Sequence, residues 1–250
     1  MAGHSHWARI KRAKAVTDAR RGKSWSRLAR AVIIAARQGG GDPDGNLALR
    51  YAIDAARDAN MPKDTIERAI KKGTGDLEGA SYEELLFEGY GPGGAAVLCT
   101  ALTDNRNRTA PEVKKIFEMN SGRIGAPNSV AWMFKKRGVF LIAAGKTDED
   151  TLTNLALECG ADDVRSLGEA FELSCDPAAF AAVQQALAAA KIQPESAELS
   201  MVAANPVTLA GEDAERMMKL IDALEDHDDV QAVHTNFEVS EADAARLAQN

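Results

Sequence analysis

Long hydrophobic runs are missing from this sequence. The stretch Ala31-Val32-Ile33-Ile34-Ala35-Ala36 is as long as any, and it falls far short of the roughly 18–20 residues a membrane-spanning helix needs. No membrane partner is therefore expected. The first 23 residues carry a dense charge run and no apolar h-region, so no secretory leader is expected either. Gly3 follows Ala2, which does not fit a myristoylation signal. Cysteine is scarce: Cys99, Cys159 and Cys175 are widely spaced and odd in number. They offer neither a disulfide framework nor a CxxC metal pair, and the expectation is a reduced, cytoplasmic protein. The signatures GxSxG, HExxH and SxxK and those of the kinases are absent. No nucleophile, base and orienting group can be assembled, so no enzyme, no cofactor and no small-molecule substrate is expected. His4 and His6 have no carboxylate or thiol nearby to complete a metal site. Asp226-His227-Asp228-Asp229 reads as a solvated turn rather than a cation site.

What the chain does have is charge sorted by position. Residues 1–75 hold 16 Lys and Arg against 7 Asp and Glu, a balance of +9. Residues 76–145 hold 8 of each. Residues 146–250 hold 6 against 22, a balance of −16, which brings the whole to −7. Thirds that differ this much point to separate modules. Within the first 37 residues ten cations face a single acid, Asp18. Such a block repels itself unless it meets a polyanion, and counterions released from phosphates would supply the binding free energy. Trp7 and Trp25 lie inside the block, either as stacking surfaces for bases or as core anchors.

Punctuation by glycine and proline divides the chain further. A helix is expected over about 24–38, with Trp25, Leu28, Val32, Ala35 and Ala36 on its apolar side. Arg27, Arg30 and Arg37 fall on the other side, within roughly 80° of each other at 100° per residue. Gly39-Gly40-Gly41 ends this helix, a second follows at about 44–59, and Pro62 opens a third that Gly73 stops. The remainder alternates. A strand is expected at 95–102, a helix at 109–119 with Pro111 in its first turn, and a strand at 129–134 ended by Lys135-Lys136-Arg137-Gly138. Then come strand 139–143, helix 148–158, strands 163–166 and 169–174, helix 177–190 and strand 197–203. That order is the βαββαβ ferredoxin-like arrangement. A last strand, helix and strand over 206–238 would return to the sheet begun near residue 80. The fold expected is thus α+β. It comprises a basic helical bundle (1–75), a discontinuous middle α/β domain (80–135 plus 205–240) and an inserted ferredoxin-like domain (137–204).

The glycine runs Gly89–Gly94 and Gly122–Ser129 resemble phosphate cradles, but a Rossmann or P-loop motif requires a strand before the glycines and a helix after them. A strand follows the first run, so a tight bend is expected. A helix-turn-helix is poorly supported, since the break at 39–43 is long and the second helix carries Asp54 and Asp58 beside Asn46 and Arg50. Backbone-dominated binding fits better. The candidate nucleic-acid contacts are His4, Trp7, Arg9, Lys11, Arg12, Lys14, Arg20, Arg21, Lys23, Arg27, Arg30 and Arg37, completed by Lys63, Lys71 and Lys72.

Met1-Ala2-Gly3-His4-Ser5-His6-Trp7, the basic run to Arg21-Gly22-Lys23, and Ala35–Pro43 together resemble the start of the YebC/PmpR family. Asn60-Met61-Pro62-Lys63-Asp64-Thr65-Ile66-Glu67-Arg68-Ala69-Ile70-Lys71-Lys72-Gly73 is similar to a second family signature. Gly89–Gly94, Thr103–Thr109 and Ser129–Phe134 are similar to its middle-domain motifs. His6 stands where the family usually has Lys, and Trp25 at a position not usually Trp. The resemblance implies three domains and a DNA-binding regulator of transcription. It also implies a link to translation, through a mitochondrial translational activator and bacterial relatives associated with ribosomes stalled on proline runs. Two partners are therefore expected as alternatives: duplex DNA, or ribosomal RNA and tRNA on the ribosome.

Overall fold

The computed structural model describes residues 18–76, 82–168 and 170–239, with the side chains of the first helix from Trp25 onward. Three helices come first: α1 (Asp18–Gly39), α2 (Leu47–Asp58) and α3 (Lys63–Thr74). Gly40, at φ 87°, turns the chain out of α1 in a conformation few other residues accept. Asn46 then ties two helix ends together. Its Oδ1 accepts from the Leu49 N–H at 3.1 Å, capping α2, while its Nδ2 donates to the carbonyls of Ala35 (2.7 Å) and Gly40 (2.8 Å). The helices enclose Val32, Ala36, Leu49, Ile53, Ala56, Met61 and Ile66. α3 crosses α1 at Gly73, where a Cβ would lie 2.4 Å from the Ile33 carbonyl oxygen. Only a glycine permits that approach. Trp25 packs on this core and donates through Nε1 to the Ala59 carbonyl at 2.9 Å, which makes it an anchor rather than a stacking surface.

The second unit is built on β1 (Glu83–Tyr90), β2 (Ala96–Thr103), α4 (Arg106–Met119) and β3 (Arg123–Ile124). It is completed by β8 (Val207–Leu209), α7 (Gly211–Glu225), β9 (Val230–Thr235) and β10 (Phe237–Val239), numbered in chain order. Its main sheet has the order β3-β1-β2-β9, so the end of the chain does return to pair with β2. Val113 and Phe117 of α4 and Met217, Leu220 and Leu224 of α7 cover one face. β8 and β10 form a separate parallel pair.

Between these halves lies the third unit: β4 (Phe134–Ala143), α5 (Glu149–Cys159), β5 (Ala161–Ser166), β6 (Ala170–Cys175), α6 (Phe180–Ala189) and β7 (Ser196–Ala203). Its antiparallel sheet runs β5-β6-β4-β7, the ferredoxin-like order. Phe140 and Phe180 stack in its core with centroids 4.6 Å apart. Tyr51 of α2 meets the edge of Phe180 at 5.1 Å, joining the helical bundle to this unit.

Three expectations need correction. Residues 129–134 are not a strand. Ala131–Met133 form a 3-10 turn, and β4 runs from Phe134 through the basic residues expected to end a strand. The cause is the buried carboxylate of Glu88. It accepts the N–H groups of Asn128 (2.6 Å), Val130 (2.8 Å) and Ala131 (2.7 Å), so these donors are unavailable to a sheet. Second, Gly73 does not stop the third helix, which continues to Thr74 and is capped by Gly75 at φ 86°. Third, α4 begins at Arg106 because Asn105 caps it, which puts Pro111 beyond the first turn.

Candidate nucleic-acid interface

The described part of the cationic front of the chain lies on α1. His4, Trp7, Arg9, Lys11, Arg12 and Lys14 lie outside the described residues. Arg20, Arg21 and Lys23 lie on α1, with side chains outside the described set. Arg27 is half-buried. Two of the candidate arginines are engaged by other elements, Arg30 half-buried and Arg37 still exposed. Arg30 donates to the Asp228 carbonyl and pairs with the Asp229 carboxylate at 3.3 Å, and Arg37 donates to the Tyr82 carbonyl. Lys63, at the start of α3, is exposed and 3.6 Å from Glu67. Lys71 is exposed, and the Lys72 ammonium sits over the Tyr82 ring, 5.7 Å from its centroid.

A cleft of about 290 Å³ between α1 and α3 brings some of these together. Arg30, Arg68, Lys72 and Tyr82 line it. Arg68 and Tyr82 were not among the candidates. Arg68 lies four residues before Lys72, so helical spacing alone places both on one face. Tyr82 sits beyond the bundle and carries no local signal. Arg68 and Lys72, with the Tyr82 ring beside them and Arg30 held by Asp229 at the edge of the open cleft, suit a phosphate with an adjoining sugar or base.

On the other side of Arg30, a larger cleft of about 750 Å³ is lined by Arg108, Glu112, Lys115, His227 and Asp229, among others. Asp229 is its hub. Beyond Arg30, its carboxylate accepts from Arg108 Nη2 at 2.7 Å and from the Thr109 hydroxyl at 2.6 Å. Burial pushes the Asp229 pKa up. The Thr109 and Arg108 hydrogen bonds and the charges of Arg108 and Arg30 outweigh that and leave it below the ordinary carboxylate range. His227 accepts the Asp229 N–H on Nδ1 at 3.1 Å, so its Nε2 carries the proton directed at Glu112 Oε2, 3.0 Å away. The turn at 226–229 is therefore a structural clasp between the helical bundle and the middle sheet. Among the described residues no three His, Cys, Asp or Glu converge as a metal site. Burial raises the thiol of Cys99 to about 12 and that of Cys175 to about 11, which leaves both protonated and unreactive at neutral pH. Among the described residues no helix is long and apolar enough to cross a membrane.

Comparison with known proteins covers nearly the whole chain. Residues 5–76 match the model of the TACO1/YebC protein N-terminal domain, and residues 82–237 match that of the TACO1/YebC second and third domain. A protein of Pelotomaculum thermopropionicum is 51% identical across 96% of this chain and 100% of its own length. One from Geobacter sulfurreducens is 50% identical across 99% and 100%. Both bear the name "Probable transcriptional regulatory protein". The crystal structure of a conserved hypothetical protein from Aquifex aeolicus superposes with a TM-score of 0.85, at 43% identity, over 95% of this chain and 98% of that one. The chain belongs to the TACO1/YebC family.

Proposed function

We propose that this protein is a DNA-binding regulator of transcription that grips the phosphate backbone with its basic N-terminal helical domain. The observation that carries the reading is the concentration of charge: ten cations against one acid in the first 37 residues, in a chain whose net charge is −7. The cleft lined by Arg30, Arg68, Lys72 and Tyr82 extends that cationic surface onto α3. The name borne by the relatives supports transcription as the process. In this reading residues 1–75 grip, residues 80–135 with 205–240 form the frame, and the ferredoxin-like domain at 137–204 is held off the polyanion by its own acidity. The role is binding rather than catalysis, and the site of action is the cytoplasm.

A second reading is favoured by one specific feature. Asp54 and Asp58 are exposed on α2, the position of a recognition helix if α1 and α2 acted as a helix-turn-helix. A duplex groove repels those acids, whereas a shaped ribosomal RNA contacts only the cationic faces. The alternative is thus a ribosome-associated translation factor bound to ribosomal RNA or tRNA. The test changes Arg20, Arg21 and Lys23 to Glu together and measures affinity for a DNA duplex and for ribosomal particles. A steep loss on the duplex is expected. Unchanged duplex affinity overturns the DNA reading, and a loss confined to ribosomal particles establishes the alternative.

A further inference from the structure

Trp132 is 66% exposed, and yet its ring is held in place. The indole Nε1 donates to the Ser129 carbonyl at 3.2 Å, and the Tyr90 hydroxyl donates to the same oxygen at 3.1 Å. Two aromatic side chains thus converge on one acceptor. The Arg123 guanidinium lies over the Tyr90 ring, 5.3 Å from its centroid. Beneath them the Glu88 carboxylate fixes the backbone of residues 128–131 through its three hydrogen bonds. The loop is therefore organised before any ligand arrives, which lowers the entropy lost on binding.

The surroundings are cationic. From residue 119 to residue 147 the sequence contains five Lys and Arg and no Asp or Glu. Arg137 is engaged by Asp162, but Arg123, Lys135 and Lys136 are exposed. Lys135 and Lys136 follow Trp132 so closely that their backbones lie within about 14 Å of it even fully extended. A flat, pinned, exposed indole in a stretch free of acids and rich in cations does not suit the core of a protein–protein contact, where charged residues are depleted. It suits a nucleobase face flanked by phosphates. Base faces inside a duplex are covered by their neighbours, so the base must be unpaired.

We propose that the loop ending at Trp132 is a second nucleic-acid contact, separate from the N-terminal helices. There the indole stacks on an unpaired base while Arg123 and one of the lysines at 135 and 136, which project to opposite faces of β4, hold the adjoining phosphates. This rests on the nucleic-acid reading of the N-terminal domain and adds to it a demand for a single-stranded segment.

The test uses the full chain and fluorescence anisotropy with three dye-labelled hairpins: one blunt, one with a single-stranded extension, and one with the same extension made abasic. The extension is prepared as RNA and as DNA, which tells the two sources of the base apart. The wild type should prefer the base-bearing extension over the abasic one by about 5- to 150-fold, the range expected for stacking one base. Trp132→Ala should abolish that preference and leave blunt-hairpin affinity unchanged, while Trp132→Phe should keep most of it. Equal affinity of the wild type for base-bearing and abasic extensions overturns the proposal and leaves the N-terminal grip standing. So does a Trp132→Ala variant that keeps the preference, or one whose only change is loss of a dimer on sedimentation. Failure of the wild type to bind any hairpin overturns the N-terminal reading, and this proposal with it.

Discussion

Replacing Glu88 with alanine strands three backbone donors at once. The carboxylate is 6% exposed and accepts the N–H groups of Asn128, Val130 and Ala131. A hydrogen bond to a charged group contributes about 1.5–3 kcal/mol, and a buried donor left without a partner carries a penalty of about 1–3 kcal/mol. The three are not additive, because water can reach Asn128 and Ala131, whereas Val130 is fully buried. Glu88→Ala should therefore destabilise by about 3–5 kcal/mol. Glu88→Gln keeps one acceptor oxygen but points an amide at backbone donors, and should lose about 1–3 kcal/mol.

The pH dependence gives an independent check. Burial raises the Glu88 pKa, but the bonds from Val130, Ala131 and Asn128 together pull it below its usual value of 4.5. A carboxylate with a depressed folded pKa contributes stability that is fully present above its unfolded pKa and is lost as pH falls through the folded one. The gap between wild type and Glu88→Gln should be widest near neutrality and shrink once the pH drops below the ordinary glutamate pKa. Urea unfolding followed by tryptophan fluorescence and by circular dichroism, across a pH series, measures both effects. A Glu88→Ala variant within about 0.5 kcal/mol of wild type, the scatter of an ordinary surface change, would refute the reasoning. A gap that ignores pH would refute it equally.

Two further perturbations act on the helical bundle. Asp229→Asn removes the charge that holds Arg30 and Arg108, so low-salt affinity for a duplex should rise and the salt slope should steepen by about 0.9 for each cation handed to a phosphate. Because the Asp229 pKa is also depressed, the clasp in the wild type is intact at neutral pH and weakens on acidification, and proteolysis between the bundle and β1 should increase in step. Asn46→Ala uncaps α2 and frees the Ala35 and Gly40 carbonyls, and should lower stability by about 1–3 kcal/mol in thermal unfolding. An Asn46→Ala variant that melts with the wild type contradicts the double-cap geometry.

The parts of this fold that could be read from sequence are those whose causes are local. Gly39–Gly41 and Pro62 stop or start helices by backbone chemistry alone, whereas Gly73 lies within α3, where its reason is the close approach of α1. The apolar periodicity from residue 139 to 203 yields βαββαβ without tertiary information, and the structure carries that order. What escaped has a distant cause. Val130 to Phe134 has the composition of a buried strand, but its donors turn to a carboxylate about 42 residues earlier. β1 was hidden because Glu83, Glu84 and Glu88 break its apolar pattern, and nothing in the sequence distinguishes the buried Glu88 from its exposed neighbours. The inward turn of Arg30 depends on Asp229, 199 residues away. The basic character of the front module was legible as composition. Which cations remain available to a ligand was not, because that is settled by partners from other elements.

The central claim is that the N-terminal helices bind phosphates through many cations at once. The affinity of the wild-type chain for a DNA duplex, measured as salt is raised, tests it most directly. With several phosphates neutralised, log K should fall linearly with log salt concentration, at a slope of about −0.9 per phosphate. Converting Arg20, Arg21 and Lys23 to Glu should flatten the line by at least about 2.7 in slope, the contribution of three phosphates. A wild-type affinity that is independent of salt, or a slope that the three reversals leave unchanged, would contradict the account.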